Sequence, residues 1–153
     1  MSQYNSCDPT VALQISDLYA RFYISADRRD EGDHAELFAE DGVLQYDSHV
    51  WRGRSTIRQF FREYSAKNDA SKRTARHLTI NRLVEMVSEN ECRVRYVAIV
   101  FSGHGDWPIS TTMPSGIADV DDRCVRDDNG AWVISYRRAV SVFANSALFD
   151  PSA

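Results

Sequence analysis

The sequence predicts an α+β fold in which N-terminal helices wrap a curved antiparallel sheet. Two observations support this prediction. Apolar residues at helical spacing are confined to the first half of the chain, and long stretches of alternating polarity follow in the second half. The length of 153 residues and the 43% hydrophobic content suit one domain over residues 1–153. We expect residues 1–7 and 146–153 to be loose tails.

The first helix is predicted from about Pro9 to Arg28. Asp8 provides an N-cap, and proline is well tolerated at the first helical position. Apolar residues then recur at spacings of three and four, at Val11, Leu13, Ile15, Leu18, Tyr19, Phe22, Tyr23 and Ala26. Asp27 lies near the C-terminal end, where the macrodipole disfavours a carboxylate by roughly a few tenths of a kcal/mol. This conflict leaves two interpretations, a solvated acid in a charged corner or an acid kept for function.

Shorter elements are predicted after this helix. Asp33 can cap a short helix over residues 34–40, and the Asp-Gly pair at residues 41–42 signals a turn. Two short strands are expected at residues 43–46 and 49–52, because both segments are rich in residues that favour strands.

A second full helix is predicted to begin at Ser55, which can act as its cap. The apolar stripe of this helix consists of Ile57, Phe60, Phe61 and Tyr64. Residues 67–73 are predicted to be a polar linker. The long strands that follow are expected at residues 74–87, 91–102, 116–126 and 131–143. An Asn-Gly hairpin signal precedes the last of them.

The first long strand opens on a run that contains His77. One parity of this strand holds Leu78, Ile80, Val84 and Met86, and the other holds His77, Thr79, Asn81 and Glu85. A histidine that points from such a strand into a partly apolar hollow could be a general base, because its unperturbed pKa is about 6.5. The alternative is a half-buried histidine bonded to a backbone carbonyl.

Composition excludes several functional classes. The net charge is −4 and no segment concentrates Lys and Arg, which argues against nucleic acid as a partner. No signal peptide and no apolar run of roughly 20 residues is found, so no membrane association is expected. Three widely spaced cysteines favour reduced thiols and a cytoplasmic location. The four histidines show no ligand spacing and there is no phosphate loop, so neither a metal nor another cofactor is expected.

Six short motifs follow one another along the chain, at residues 17–22, 26–30, 37–43, 53–57, 76–81 and 130–132. As an ordered set they resemble the SnoaL-like branch of the nuclear-transport-factor-2-like superfamily. The resemblance covers nearly the whole chain and implies that the fold is a cone-shaped barrel. Because this fold hosts many functions, the match specifies the fold more closely than the reaction.

Within this branch the chain is similar to scytalone dehydratase, hexachlorocyclohexane dehydrochlorinase and bile-acid dehydratases. The first two pair a histidine on a long strand with an aspartate that ends the first helix, and Asp27 and His77 match those positions. The resemblance implies a cofactor-independent lyase, a dehydratase or related enzyme, acting on a small hydrophobic metabolite. Arg137 matches a pocket arginine of the dehydrochlorinase, or Arg138 takes that place if a bulge shifts the parity. Phe22 replaces a lysine of that enzyme, which argues against halide elimination.

Aromatic residues are the other candidates for substrate binding. The hydroxyls of Tyr19, Tyr23 and Tyr46 could donate hydrogen bonds to a carbonyl or a leaving oxygen. The apolar wall would consist of Trp51, Phe60 and Phe61. For each of these aromatic residues, simple burial in the core is the competing interpretation.

Other functions remain open from the sequence. An isomerase or a cyclase would use the same proton abstraction. Residues 76–81 also resemble the β subunit of ring-hydroxylating dioxygenases, which is largely structural, and a ligand-binding domain without turnover is a third reading. A homodimer or homotrimer is expected, because one parity of the second long strand mixes charge with apolar bulk at Arg93, Val97, Ile99 and Phe101.

Overall fold

The computed structural model describes residues 7–28 and 33–145. The predicted tail at 146–153, and the predicted tail at 1–7 except for Cys7, lie outside the described residues. Two α-helices are present, α1 at Pro9–Arg28 and α2 at Arg54–Ala70, with a short 3-10 helix at His34–Leu37. The strands are β1 at Phe38–Tyr46, β2 at His49–Arg52, β3 at Arg73–Ser88, β4 at Glu91–His104, β5 at Gly116–Arg126 and β6 at Trp132–Ala144.

The six strands form one curved sheet in the order β2-β1-β6-β5-β4-β3. This arrangement confirms the predicted α+β class, with two corrections. The sheet is open, since β2 and β3 form its edges, and it does not close into a barrel. One pair, β1 with β6, is parallel. Strand β2 pairs with one edge of β1, so the other edge of β1 is left for β6. Strand β6 is the last of the four consecutive antiparallel strands β3–β6.

The core lies between the inner face of the sheet and the two helices. Helix α1 buries its apolar stripe, namely Ile15, Leu18, Tyr19 and Phe22, and α2 buries Ile57 and Phe61. The inner face of β4 contributes Cys92, Val94, Tyr96 and Ala98. Full burial of one large apolar side chain stabilises the fold by roughly 1.5–3 kcal/mol, so these contacts fix α1 against the sheet.

Two element boundaries differ from the prediction around Gly42 and Gly53. The short helix ends at Leu37, and residues 41–42 lie inside β1 instead of forming a turn. A Cβ at Gly42 would lie 2.9 Å from the Ala39 carbonyl oxygen, so close packing, and not a turn, requires glycine there. Helix α2 begins after Gly53, whose φ is 83°, and not at Ser55. It also continues to residue 70 and absorbs part of the predicted linker.

A bulge in β3 overturns the predicted alternation of that strand. The pairing of β3 with β4 shifts register between Ile80 and Leu83, and Asn81 has a φ of 55°. Asparagine tolerates this left-handed conformation better than most residues. Leu78 and Ile80 therefore lie on the outer face, 48% and 43% exposed, whereas Val84 packs against the core. The inward positions are His77, Thr79, Arg82, Val84 and Met86.

Candidate active site

The end of α1 and the inward face of β3 bring Asp27 and His77 together. The Nδ1 atom of His77 lies 2.6 Å from Oδ1 of Asp27. The backbone N–H of His77 donates to Oδ2 of the same carboxylate at 2.8 Å. Both carboxylate oxygens are therefore occupied by one residue, and this contact offsets the unfavourable position of an acid at the end of a helix. The guanidinium of Arg76 donates to the Asp27 carbonyl oxygen at 3.1 Å, which satisfies one of the last carbonyl groups of α1.

The carboxylate determines which ring nitrogen of His77 is available. An acceptor beside Nδ1 favours the proton on that nitrogen and leaves a lone pair on Nε2. No hydrogen bond to Nε2 is formed by the described residues. The His77 side chain is 25% exposed and that of Asp27 is 10% exposed. The pair is thus sheltered, and one imidazole nitrogen remains accessible as a base.

Asp27 and His77, here called the dyad, line a pocket between α1 and β3 with a volume of about 270 Å³. The lining residues are Ser16, Tyr19, Ala20, Tyr23, Ile24, Asp27, His77, Thr79 and Arg82. The Tyr23 ring lies 5.2 Å from the imidazole of His77, centroid to centroid. A small molecule in this pocket would contact an aromatic wall and the imidazole together.

The hydroxyls of the two pocket tyrosines are hydrogen-bonded within a buried polar network. The Tyr19 hydroxyl donates to Oδ2 of Asp122 at 2.7 Å, and the Tyr23 hydroxyl lies 2.8 Å from the hydroxyl of Tyr96. Burial raises the pKa of both pocket tyrosines, which keeps them protonated. Tyr96 and Asp122 were not singled out from the sequence. Their inward parity on β4 and β5, shared with buried cysteines, was the available signal.

Arg137 lies in this network and not on the pocket wall. Its Nη2 atom donates to Asp122 at 2.9 Å and to the Tyr96 hydroxyl at 2.7 Å, and the residue is 1% exposed. Burial raises the pKa of the Asp122 carboxyl, and the charge of Arg137 opposes this effect. Arg138 is exposed, so Arg137 is the inward arginine of the two. It can act on a substrate only through Tyr96 and the tyrosine bonded to it.

The remaining aromatic candidates are grouped elsewhere. Trp51 stacks on Phe60 with ring centroids 4.0 Å apart, and the Tyr46 ring lies 6.2 Å from each of them. Phe61 is buried against His34, and their ring centroids are 3.8 Å apart. None of these four aromatic residues lines the pocket that holds the dyad. The structure therefore assigns them to the core packing between α2 and the β1–β2 end of the sheet.

His34 is a buried histidine without a predicted role. It lies against the rings of Phe22 and Phe61, and burial lowers its pKa to about 4. In the unfolded chain the pKa of the imidazole is about 6.5. Between about pH 6.5 and 4 the unfolded state therefore binds more protons than the folded state. Stability is therefore complete above this window and falls as the pH drops through it, by at most roughly 3 kcal/mol.

We expect the variant His34→Gln to remove this pH dependence. Urea unfolding at pH 7 and pH 4 measures the loss of stability in each protein. The wild-type protein should lose more stability than the variant between the two pH values, because only in the wild type does unfolding expose a neutral imidazole that then binds a proton. Equal losses in both proteins would show that His34 does not contribute.

No helix among the described residues is long and apolar enough to cross a membrane. Within residues 7–28 and 33–145, no group of three or more His, Cys, Asp or Glu side chains is arranged to hold a metal ion.

A curved sheet covered by two helices, with a pocket between the first helix and the edge strand, defines the nuclear-transport-factor-2-like class. The chain belongs to the SnoaL-like domain family, whose model matches residues 10–138. This match confirms the resemblance to the SnoaL-like branch. The family includes polyketide cyclases and dehydratases. A comparison with curated proteins found no match.

Solved structures with the same fold include three that illustrate its range. ActVI-ORFA from Streptomyces coelicolor is 19% identical, with a TM-score of 0.75, over 87% of this chain and 98% of that chain. A protein from Novosphingobium aromaticivorans, named a candidate scytalone dehydratase, is 20% identical over 94% of both chains, with a TM-score of 0.72. A Mycobacterium tuberculosis protein of unknown function is 28% identical over 94% of this chain and 77% of that chain, with a TM-score of 0.72. The resemblance to hexachlorocyclohexane dehydrochlorinase stays a prediction.

Proposed function

We propose that the chain is a cofactor-independent lyase, a dehydratase or a related eliminating enzyme, that acts on a small hydrophobic metabolite. The observation that carries this proposal is the 2.6 Å contact between Asp27 and His77 at the wall of a pocket. A neutral imidazole, oriented by a carboxylate and sheltered from bulk water, is suited to remove a proton from carbon. Membership of a family that contains dehydratases supports the same reaction type.

The elimination begins at Nε2 of His77. This atom takes the proton from a carbon next to a carbonyl group, and the electron pair of the broken C–H bond forms a carbon–carbon double bond. The hydroxyl on the adjacent carbon leaves, accepts a proton from the imidazolium and departs as water. Asp27 stabilises the positive charge that His77 carries between the two proton transfers.

Tyr23 is proposed to bind the substrate oxygen. Arg137 donates to the Tyr96 hydroxyl, so Tyr96 can direct its own proton to the oxygen of Tyr23. The Tyr23 proton is then free to point at a substrate carbonyl beside His77. Its raised pKa suits this role, because a tyrosine that stays protonated stabilises a developing enolate as a hydrogen-bond donor.

Mass spectrometry of products tests the proposal. The wild-type protein and the variant His77→Ala are incubated with a panel of small cyclic β-hydroxy carbonyl compounds. The proposal predicts products that have lost one water, formed by the wild type alone. Products of unchanged mass but altered connectivity would instead assign an isomerase or a cyclase with the same dyad. A stable association with a larger catalytic subunit, without turnover by the isolated chain, would favour the β-subunit alternative.

The outer face of the sheet supports a homodimer or homotrimer. Leu78 on β3 pairs with Ile99 on β4, which pairs with Ile117 on β5, which pairs with Phe143 on β6. These four side chains form one apolar row across the face that the helices leave uncovered, and Phe143 is 66% exposed. Exposed apolar rows of this kind mark association surfaces.

The buried free thiols of Cys92 and Cys124 fit the reducing cytoplasm that we propose as the location of the protein.

We expect the variant Ile99→Lys to dissociate this oligomer. An ammonium at the centre of the row would be buried without a partner, which costs several kcal/mol and raises the dissociation constant by at least about a hundredfold. Light scattering at micromolar concentration measures the mass. Leu13→Lys is the control, since Leu13 is 72% exposed on α1 and lies outside the row. A wild-type monomer at this concentration would exclude the proposed assembly.

A further inference from the structure

The bulge in β3 turns Arg82 into the pocket that holds the dyad. Without the register shift between Ile80 and Leu83, the side chain at position 82 would continue the outward series of Leu78 and Ile80. The positive φ of Asn81 is the backbone feature that reverses this parity. Arg82 is therefore the next inward side chain after His77 and Thr79. A break of parity beside a cavity re-aims one side chain, and here that side chain carries a positive charge.

All contacts of Arg82 with the described residues are neutral. Its Nη1 donates to the Ser16 hydroxyl at 3.2 Å, and its Nη2 donates to the Thr79 hydroxyl at 2.9 Å. The guanidinium carbon lies 5.0 Å from the centroid of the Tyr19 ring and 5.9 Å from that of Tyr96. These contacts hold the side chain in place, and they do not neutralise its charge.

Six other arginines of the sheet and of α2 differ in this respect. They form ion pairs with carboxylates of the described chain, namely Arg54, Arg58, Arg93, Arg95, Arg123 and Arg137. Arg82 forms none with residues 7–28 or 33–145. A partly buried cation without a counter-ion is costly, and a bound anion would remove that cost.

The guanidinium also has unused hydrogen-bonding capacity. It carries five N–H groups, and the two hydroxyls accept from one group on each Nη atom. Three N–H groups therefore remain, and the one on Nε is buried without an acceptor. A carboxylate is the natural ligand for this arrangement, because its two oxygens match the fork of N–H groups.

The distance between the two ends of the pocket limits the size of the ligand. His77 and Thr79 are adjacent inward positions, so their Cα atoms are roughly 7 Å apart. The Nη2 atom of Arg82 reaches back to the Thr79 hydroxyl at 2.9 Å. A span of about 7 Å matches one six-membered ring that bears a carboxylate. The volume of about 270 Å³ leaves room for a second ring against Tyr19, Ala20 and Ile24.

We infer that the pocket takes a small cyclic carboxylic acid, with its carboxylate on Arg82 and its reacting carbon at His77. The first half of this inference concerns binding alone, and the second half rests on the proposed function. The cation at one end and the Asp27 carboxylate at the other orient the acid in a single direction along β3. Arg82 is thereby the residue that selects anionic over neutral substrates.

A matched pair of probes tests the binding. 2-Naphthoate and its neutral counterpart 2-naphthamide have nearly the same shape and differ in charge. Calorimetric titration should show that the wild type binds the naphthoate at least about tenfold more tightly than the amide, since a hydrogen bond to a charged partner contributes roughly 1.5–3 kcal/mol. The naphthoate affinity should also fall with rising salt, while the amide affinity should not. Equal affinities, or no saturable binding of the naphthoate at millimolar concentration, would overturn the inference.

Variants locate the anion site. Arg82→Gln should lose the preference for the naphthoate and keep its affinity for the amide, and Arg82→Lys should retain part of the preference. Arg95→Gln removes the same charge from the outer face, where Arg95 pairs with Glu85, and should behave as wild type. Full naphthoate affinity in Arg82→Gln would contradict the assignment. If Arg82→Gln does not fold, Arg82→Lys still tests the assignment, because an undiminished preference for the naphthoate in that variant would contradict it.

The inference and the proposed function can fail separately. His77→Gln leaves the Arg82 end of the pocket intact, so it should bind the naphthoate within about threefold of the wild type, a difference below 1 kcal/mol. A wild-type protein that binds the naphthoate but eliminates water from no substrate of the panel would overturn the proposed function alone. Elimination activity on neutral substrates only, with no naphthoate preference, would overturn the anionic substrate class alone.

Discussion

The variant His77→Ala is expected to lower turnover by at least about a hundredfold, the typical contribution of a positioned general base. The structure gives the reason. His77 is the side chain in the pocket that combines an accessible nitrogen with a carboxylate on the other nitrogen, at 2.6 Å. Alanine leaves the Asp27 carboxylate bonded to the backbone N–H of the same position, so the end of α1 should stay in place.

The control for this variant is His104→Ala. His104 lies on β4, and its Nδ1 atom is 2.9 Å from the Ser71 carbonyl oxygen, which is an ordinary structural contact of an exposed histidine. Turnover of the control should match the wild type. Steady-state turnover of one substrate from which the wild type eliminates water measures both effects. A wild-type rate in His77→Ala would exclude His77 as the base.

The variant Asp27→Asn is expected to lower turnover by about 10²–10⁴-fold, because the wrong tautomer of His77 would be favoured. The backbone N–H of His77 requires an acceptor, so the amide oxygen of the asparagine takes the place of Oδ2. The amide nitrogen must then face Nδ1, and it can only donate. His77 would accept through Nδ1 and carry its proton on Nε2, which is the atom that must take a proton from the substrate.

Asp17→Asn serves as the control for the second variant. Asp17 is an exposed residue of α1 that pairs with Arg21 four residues later, and the substitution removes the same charge from the same helix. Its effect on stability and turnover should be small, since exposed ion pairs contribute about 0–1 kcal/mol. Similar rate losses in the two variants would indicate a general charge effect and not a tautomer effect.

The helices and the strands could be predicted because their signals are local. The Asp-Pro start and the three- and four-residue spacing define α1 at Pro9–Arg28, and the structure has the same bounds. The positions of Asp27 and His77 came from the family resemblance, and their contact is a direct consequence of where α1 ends against β3. Alternating polarity was sufficient to locate β4 and β5, and it placed Arg93, Val97, Ile99 and Phe101 of β4 on one face.

The parity of β3 could not be predicted, because a bulge depends on pairing with a neighbouring strand. Simple alternation assigned Leu78 and Ile80 to the core, and the positive φ of Asn81 places them outside. For the same reason, the inward position of Arg82 could not be predicted from the sequence. For a similar reason, the position of Arg137 depended on Asp122, its partner in the register of β5 with β6, and no local pattern indicates such a pair.

The measurement that tests the central claim most directly is the turnover of the double variant Asp27→Asn, His77→Ala beside the two single variants. Residues that act as one unit lose their contribution together. If Asp27 acts through the imidazole of His77, the double variant should turn over at about the rate of His77→Ala alone. A rate reduced by the product of the two single effects would show that the residues act independently and would contradict the dyad.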